Sequence, residues 1–155
     1  MRLWIWLLIG MLLVGALGFR PFHGSDVAKL QPVEVLAVCL ENGGIALKTD
    51  IGSEGEGASV EKALGNMKDA ASGMIFLETV DYLLITPECV HLLPELSAYL
   101  RPACGVCLWE GEIQLERVAD FLDTHKTSAT LLSCLVQPSK IPMLTGKDGV
   151  MYVYQ

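Results

Sequence analysis

The chain is poor in basic side chains, with 11 Lys and Arg against 18 Asp and Glu in 155 residues, a net charge of −7. Nucleic acid and anionic membrane surfaces both call for clustered Lys and Arg. No basic run with interleaved aromatics occurs, so neither is expected as the main partner. Histidine is scarce as well: His23, His91 and His125 are the full set, and none stands beside a Ser or Cys in a nucleophile pattern. Each reads as structural or solvated. No second CxxC and no HxxxH is present to complete a zinc site. The "GSEGEG" stretch (52–57) has glycines but no following Lys-Ser/Thr, and its carboxylates would repel a phosphate. Glu110, Glu112 and Glu116 include an i,i+4 pair on an expected helix face, which is the pattern of a solvated face rather than an acid/base pair. These absences leave no residue assigned to catalysis, cofactor binding or metal, and the chain is expected to be neither an enzyme nor a cofactor carrier.

What the sequence does have is an apolar beginning. Arg2 is followed by Leu3 to Phe19, about 17 uncharged residues, and Arg20-Pro21 end the run. That length suits the apolar region of a signal peptide and reaches the lower limit of a bilayer span, ~17–25 residues. Ala16-Leu17-Gly18 resembles a small-residue cleavage site, and no cysteine follows directly to accept a lipid. Trp4, Trp6 and the surrounding Leu and Ile leave no polar face for an ordinary core helix. Residues 1–19 are therefore expected to be a signal peptide or membrane anchor, 20–31 a linker, and 32–155 one extracytoplasmic domain, tethered or released.

Within that domain, "PVEVLAVCLENGGIALKTDIG" reads as a β-hairpin. Val33, Val35, Ala37 and Cys39 share one strand face, Glu34, Leu36, Val38 and Leu40 the other, and Asn42-Gly43-Gly44 supply the turn. "GSEGEGAS" (52–59) reads as a flexible acidic connection. Ser59 is a helix N-cap with Glu61 in the first turn, and Val60, Ala63, Leu64, Met67, Ala70/Ala71 and Met74 recur at helical spacing. "TVDYLLIT" (79–86) reads as a buried strand. Pro87 and Pro94 then predict two short helices, Pro87–His91 and Pro94–Leu100. "ACGVCLW" (103–109) is a run of small and apolar residues; residues 112–125 and Thr127–Gln137 are expected helices. Lys147-Asp148-Gly149 form a turn before a β-like end. Strands alternating with helices, after an opening hairpin, predict a single small α/β domain with a mixed β-sheet flanked by helices.

The sharpest chemical candidate is Cys104-Gly-Val-Cys107, a CxxC. A redox CxxC places its first cysteine at a helix N-terminus, where backbone N–H groups stabilise the thiolate. Here a proline-bounded helix precedes the motif and "LWEGE" follows it. If 103–109 is a strand, the two cysteines point to opposite faces with Cα atoms about 10 Å apart, three steps of ~3.3 Å. A disulfide needs Cα atoms within ~7 Å. The run fits a core strand, since unpaired Cys is among the most buried residue types. The competing expectation is an exported thiol–disulfide oxidoreductase, or a metal-binding domain, using Cys104 and Cys107. Cys39, Cys89, Cys134 and His91 could join a metal site only if the fold brought them together.

In element order the chain resembles the N-terminal domain of the spore-germination germinant-receptor C subunits, the Ger(x)C lipoproteins. The resemblance is carried by the "LQPVEVLAVCLENGGIALKTDIG" hairpin and by the Gly-rich stretch before a helix containing Ala63-Leu64-Gly65-Asn66. It continues through the "LLPELSAYLRPACGVCLWEGEIQLERVADFL" block and the Ile-Pro segment "SKIPML", spanning roughly residues 25 to 145. Two departures stand out: there is no lipidated cysteine after the apolar run, and no large C-terminal portion follows. The resemblance implies a non-enzymatic, membrane-associated part of a nutrient receptor, working with integral-membrane partner proteins, and it carries over no catalytic residue.

Overall fold

The computed structural model describes residues 30–125, 128–147 and 150–154. The apolar run 1–19, the linker up to residue 29 with His23, and residues 148 and 149 of the expected turn lie outside them. In chain order the first elements are β1 (Leu30–Pro32), β2 (Val35–Glu41), β3 (Gly44–Thr49), β4 (Glu54–Gly57), α1 (Val60–Ala70), β5 (Met74–Phe76) and β6 (Tyr82–Ile85). After them come α2 (Leu93–Leu96), β7 (Gly105–Gly111), α3 (Val118–Thr124), α4 (Leu131–Val136), β8 (Met143–Lys147) and β9 (Val150–Tyr154). Seven strands form one sheet in the order β4-β3-β2-β6-β7-β8-β9, and β1 pairs with β5 in a separate two-stranded sheet. Pairing is parallel from β2 through β6 and β7 to β8, and antiparallel at both margins. The domain is thus α/β with a mixed sheet, as its alternating strands and helices predict.

Parallel neighbours bury a strand on both faces, and this separates two apolar layers. On the first face, Leu36, Val38, Leu83, Ile85 and Val106 pack under α1 (Val60, Ala63, Leu64, Met67), α2 (Leu93, Leu96) and α4 (Leu131, Cys134). On the second face, Val35, Ala37, Leu84, Cys107 and Leu144 pack under Val118 and Leu122 of α3. Tyr82 hydroxyl donates to Asp123 Oδ1 over 2.7 Å and ties α3 to the sheet. The hairpin between β2 and β3 turns on Asn42 (φ 51°) and Gly43 (φ 80°), the left-handed pair a two-residue turn requires. Ser59 caps α1 by accepting from the Lys62 N–H over 3.2 Å.

Several boundaries depart from the sequence reading, each for a tertiary reason. The expected connection 52–59 contains edge strand β4, whose glycines let α1 lie directly on it. A Cβ at Gly55 would come within 2.5 Å of Met67 Cβ, and one at Gly57 within 2.5 Å of the Ala63 nitrogen. Met74 is not on the helix stripe: α1 stops at Ala70, and Met74 lies exposed in β5. Leu30 and Gln31, inside the expected linker, already pair with β5. The stretch 79–86 is a strand only over Tyr82–Ile85, because Leu77–Thr79 is a 3-10 turn whose Thr79 hydroxyl bonds Val33.

Pro87–Leu92 is 3-10, and the following α-helical turn is Leu93–Leu96, with Pro94 near its start, where a missing N–H costs little. Residues 112–114 are not helical; the chain runs extended while Ile113 and Leu115 pack onto the second face, and the α-helix begins at Val118. The expected Thr127–Gln137 helix spans Leu131–Val136, since Thr130 is held by a β-bridge to Gly105 and a capping box with Ser133.

Candidate functional site

The CxxC lies at the start of β7, and strand alternation separates its sulfurs. Cys104 packs in the first-face layer beside Val106, whereas Cys107 packs in the second-face layer with Leu84 and Leu122. Each is about 1% exposed. No helix begins at Cys104: the next is the 3-10 turn at Leu115–Arg117. Burial pushes the Cys104 thiol up to about 12, far above the range of a nucleophilic cysteine. Placed in opposite layers, the pair lacks the spacing for a disulfide, and Cys104 lacks the environment for a thiolate.

The other cysteines are buried as well. The five sulfurs are thiols and all are buried. Cys39, near the end of β2, is pushed up to about 11, first by burial and then by the negative charge of Glu41. Its Sγ donates to Glu41 Oε1 at 3.6 Å, and the same oxygen accepts from Lys48 Nζ at 2.5 Å. That ion pair keeps the Glu41 carboxyl below its ordinary range. Burial also raises Cys134. Among the described residues, no group of three or more His, Cys, Asp or Glu side chains converges as a metal site.

His91 and His125 are exposed and spend their Nδ1–H on local carbonyls, His91 on Glu88 (2.8 Å) and His125 on Phe121 (3.0 Å). The His125 ring stacks on Phe121 with centroids 4.3 Å apart. These are helix-end contacts, not members of a triad. Glu110, Glu112 and Glu116 are exposed, and because 112–114 is extended the Glu112–Glu116 pair does not share a helix face.

A surface the sequence reading did not single out is more informative. Helix α4, "LLSCLV", is apolar around most of its circumference but buries only Leu131 and Cys134. Leu132, Leu135 and Val136 are 60%, 38% and 75% exposed. They fall at i, i+3 and i+4, so they form one outward stripe. The only hint in the sequence is the lack of charge over 131–136. At the sheet margin, β9 turns Met151 and Val153 toward the second-face layer and leaves Tyr152 and Tyr154 exposed. Among the described residues no helix is long and apolar enough to cross a membrane.

Fold and surface together define a mixed α/β domain with, among the described residues, an exposed apolar helix face. Comparison with protein-family models, with curated proteins and with solved structures finds no match for the chain.

Proposed function

We propose that the chain is a non-enzymatic protein-interaction domain held at a membrane by its apolar N-terminal run, and that the outward face of α4 is its docking surface. The observation that carries this reading is the stripe Leu132, Leu135 and Val136 on a helix whose opposite side is already in the core. A contiguous apolar stripe on a stable fold is the usual mark of an interaction site. The partner we infer is an integral-membrane protein, because Leu3 to Phe19 would hold the domain at the bilayer on the extracytoplasmic side. The resemblance to germinant-receptor C subunits supplies the setting, a nutrient receptor of spores.

Full-length protein solubilised from its host should co-purify with a membrane protein, and Leu132→Glu with Val136→Glu should remove that partner. An unchanged set of partners in a folded double variant overturns the docking surface. Deleting the chain from a spore-forming host should slow nutrient-triggered germination; germination at the normal rate removes the receptor setting and leaves the docking surface to stand on co-purification alone.

A further inference from the structure

The connections that leave β6 and β7 depart to opposite faces of the sheet. After Ile85 the chain passes through Thr86 and Pro87 to Cys89, Leu92 and Leu93 in the first-face layer. After Glu110 and Gly111 it passes to Ile113, Leu115 and Val118 against the second-face layer. Adjacent parallel strands whose connections diverge in this way leave a crevice at their carboxyl ends, the place where open α/β sheets bind ligands. A cleft of about 250 Å³ lies there, lined by Thr86, Pro87, Glu88, Trp109, Glu110 and Gly111.

From its lining we propose that this cleft is a binding site for an organic cation, an alkylammonium or guanidinium head group. Two carboxylates, Glu88 and Glu110, line it, and no Lys, Arg or His does. The Trp109 indole forms part of the wall, and its Nε1–H is fixed by donation to the Gly111 carbonyl at 2.9 Å. An aromatic wall beside carboxylates is the chemistry that holds ammonium and guanidinium groups. Thr86 is also among the lining residues, and its buried Oγ1 has no hydrogen-bond partner among the described residues. The volume is below the ~300–1,000 Å³ of sites that enclose whole drug-sized molecules, so it suits a head group with its tail left outside. Among the described residues no group of three or more His, Cys, Asp or Glu side chains gathers to hold a metal ion, and this cleft offers two.

The cation could belong to a free small amine or to a lysine or arginine of a bound protein, and one titration separates them. The probes are n-butylammonium, n-butylguanidinium, neutral n-butylurea, and a blocked tripeptide with a central lysine. They are added to full-length protein in detergent micelles while the Trp109 indole N–H resonance is followed. Saturable shifts with the cations, and none with the urea, are expected; tighter binding of the tripeptide identifies a side-chain ligand, and tighter binding of the free amine a small molecule. Glu88→Gln with Glu110→Gln should weaken binding about tenfold or more, in line with the loss of charge-assisted bonds. Both residues are exposed, so the variant keeps its fold, and Trp109→Leu provides a second variant lacking the aromatic wall. No saturable shift up to 10 mM of any cation, roughly the weakest affinity a specific head-group site would show, or shifts unaffected by the carboxylate changes, overturn the proposal. The docking surface on α4 does not depend on this outcome.

Discussion

Alkylation of the five cysteines gives the most direct test of how β7 is built. Cys104 lies in one apolar layer and Cys107 in the other, each about 1% exposed. The Cys104 thiol is pushed up to about 12 by burial. At pH 8 an ordinary cysteine with a pKa of about 8.5 is roughly one-quarter thiolate, whereas one at about 12 is roughly one part in 10,000. Ionisation alone should therefore slow Cys104 by about three orders of magnitude, and enclosure slows it further because the reagent must wait for the strand to open. The assay is a time course with N-ethylmaleimide or iodoacetamide near pH 6 and pH 8, read by mass spectrometry after digestion, on native protein and on protein in urea. The expected result is protection of Cys104 and Cys107 in the native state and rapid labelling of both in urea. Labelling of either within minutes near pH 6, in protein that remains folded, would refute the argument and restore thiol chemistry to the CxxC.

Two stability measurements probe the packing. Gly55→Ala should destabilise by about 3 kcal/mol, the upper end of overpacking costs, because its new Cβ meets Met67 Cβ and the α1 backbone rather than a movable side-chain tip. Gly65→Ala should do the reverse and stabilise by about 0.5–1 kcal/mol, since that helix-interior glycine has open space around its Cβ position. Urea midpoints that move the same way for both would contradict the way α1 rests on β4. The second measurement follows pH. Cys104 ionises at a lower pH in the unfolded chain than in the fold, so its contribution is intact below about pH 8.5. It is lost as pH rises toward 12, at about 1.4 kcal/mol per pH unit. The difference between wild type and Cys104→Ala, measured by urea unfolding, should be constant from pH 6 to 8 and shrink between pH 9 and 10.5; a difference that stays constant across the whole range refutes the assignment.

Which parts of the fold could be read from the sequence depends on how local their causes are. Asn42-Gly43, Ser59 and Pro87 act on their own turn, and the hairpin, the start of α1 and the end of β6 follow from them. Strand β4 was hidden because "EGEG" has poor strand propensity, and its glycines make sense only once α1 is placed against them. The same holds for 112–114, where Ile113 is drawn out of a helical pattern by the second-face layer. Helix α4 began later than its composition suggested, because Thr130 is committed to Gly105, 25 residues earlier in the chain. The candidate surfaces are less legible still. Apolar residues all around a short helix cannot reveal which side the core will take, and Thr86 and Trp109 are brought together only by the pairing of β6 with β7.

The alternation of β7 links the rejected site to the proposed one. Val106 and Leu108 face the first layer, Cys107 and Trp109 the second, and this strict period of two is what pulls the CxxC sulfurs apart. It also leaves Trp109 as the last apolar side chain on the second face, so that the chain, on leaving the strand, follows Ile113 and Leu115 onto that face. The connection from β6 has meanwhile gone to the first face with Cys89 and Leu92. The divergence that opens the cleft is therefore a consequence of the pattern that excludes a disulfide. Moving the strand register by one residue would keep the two sulfurs on opposite faces but exchange the layers: Cys107 would leave the second layer, Trp109 would leave the cleft wall, and Glu110 would be carried into an apolar layer with no cation to meet it. The buried Val106 and Cys107, fixed opposite Leu83 and Leu84 in β6, hold that register. The proposed cation site accordingly rests on the aromatic and carboxylate residues at the end of this strand, while its cysteines pack in the two layers of the core.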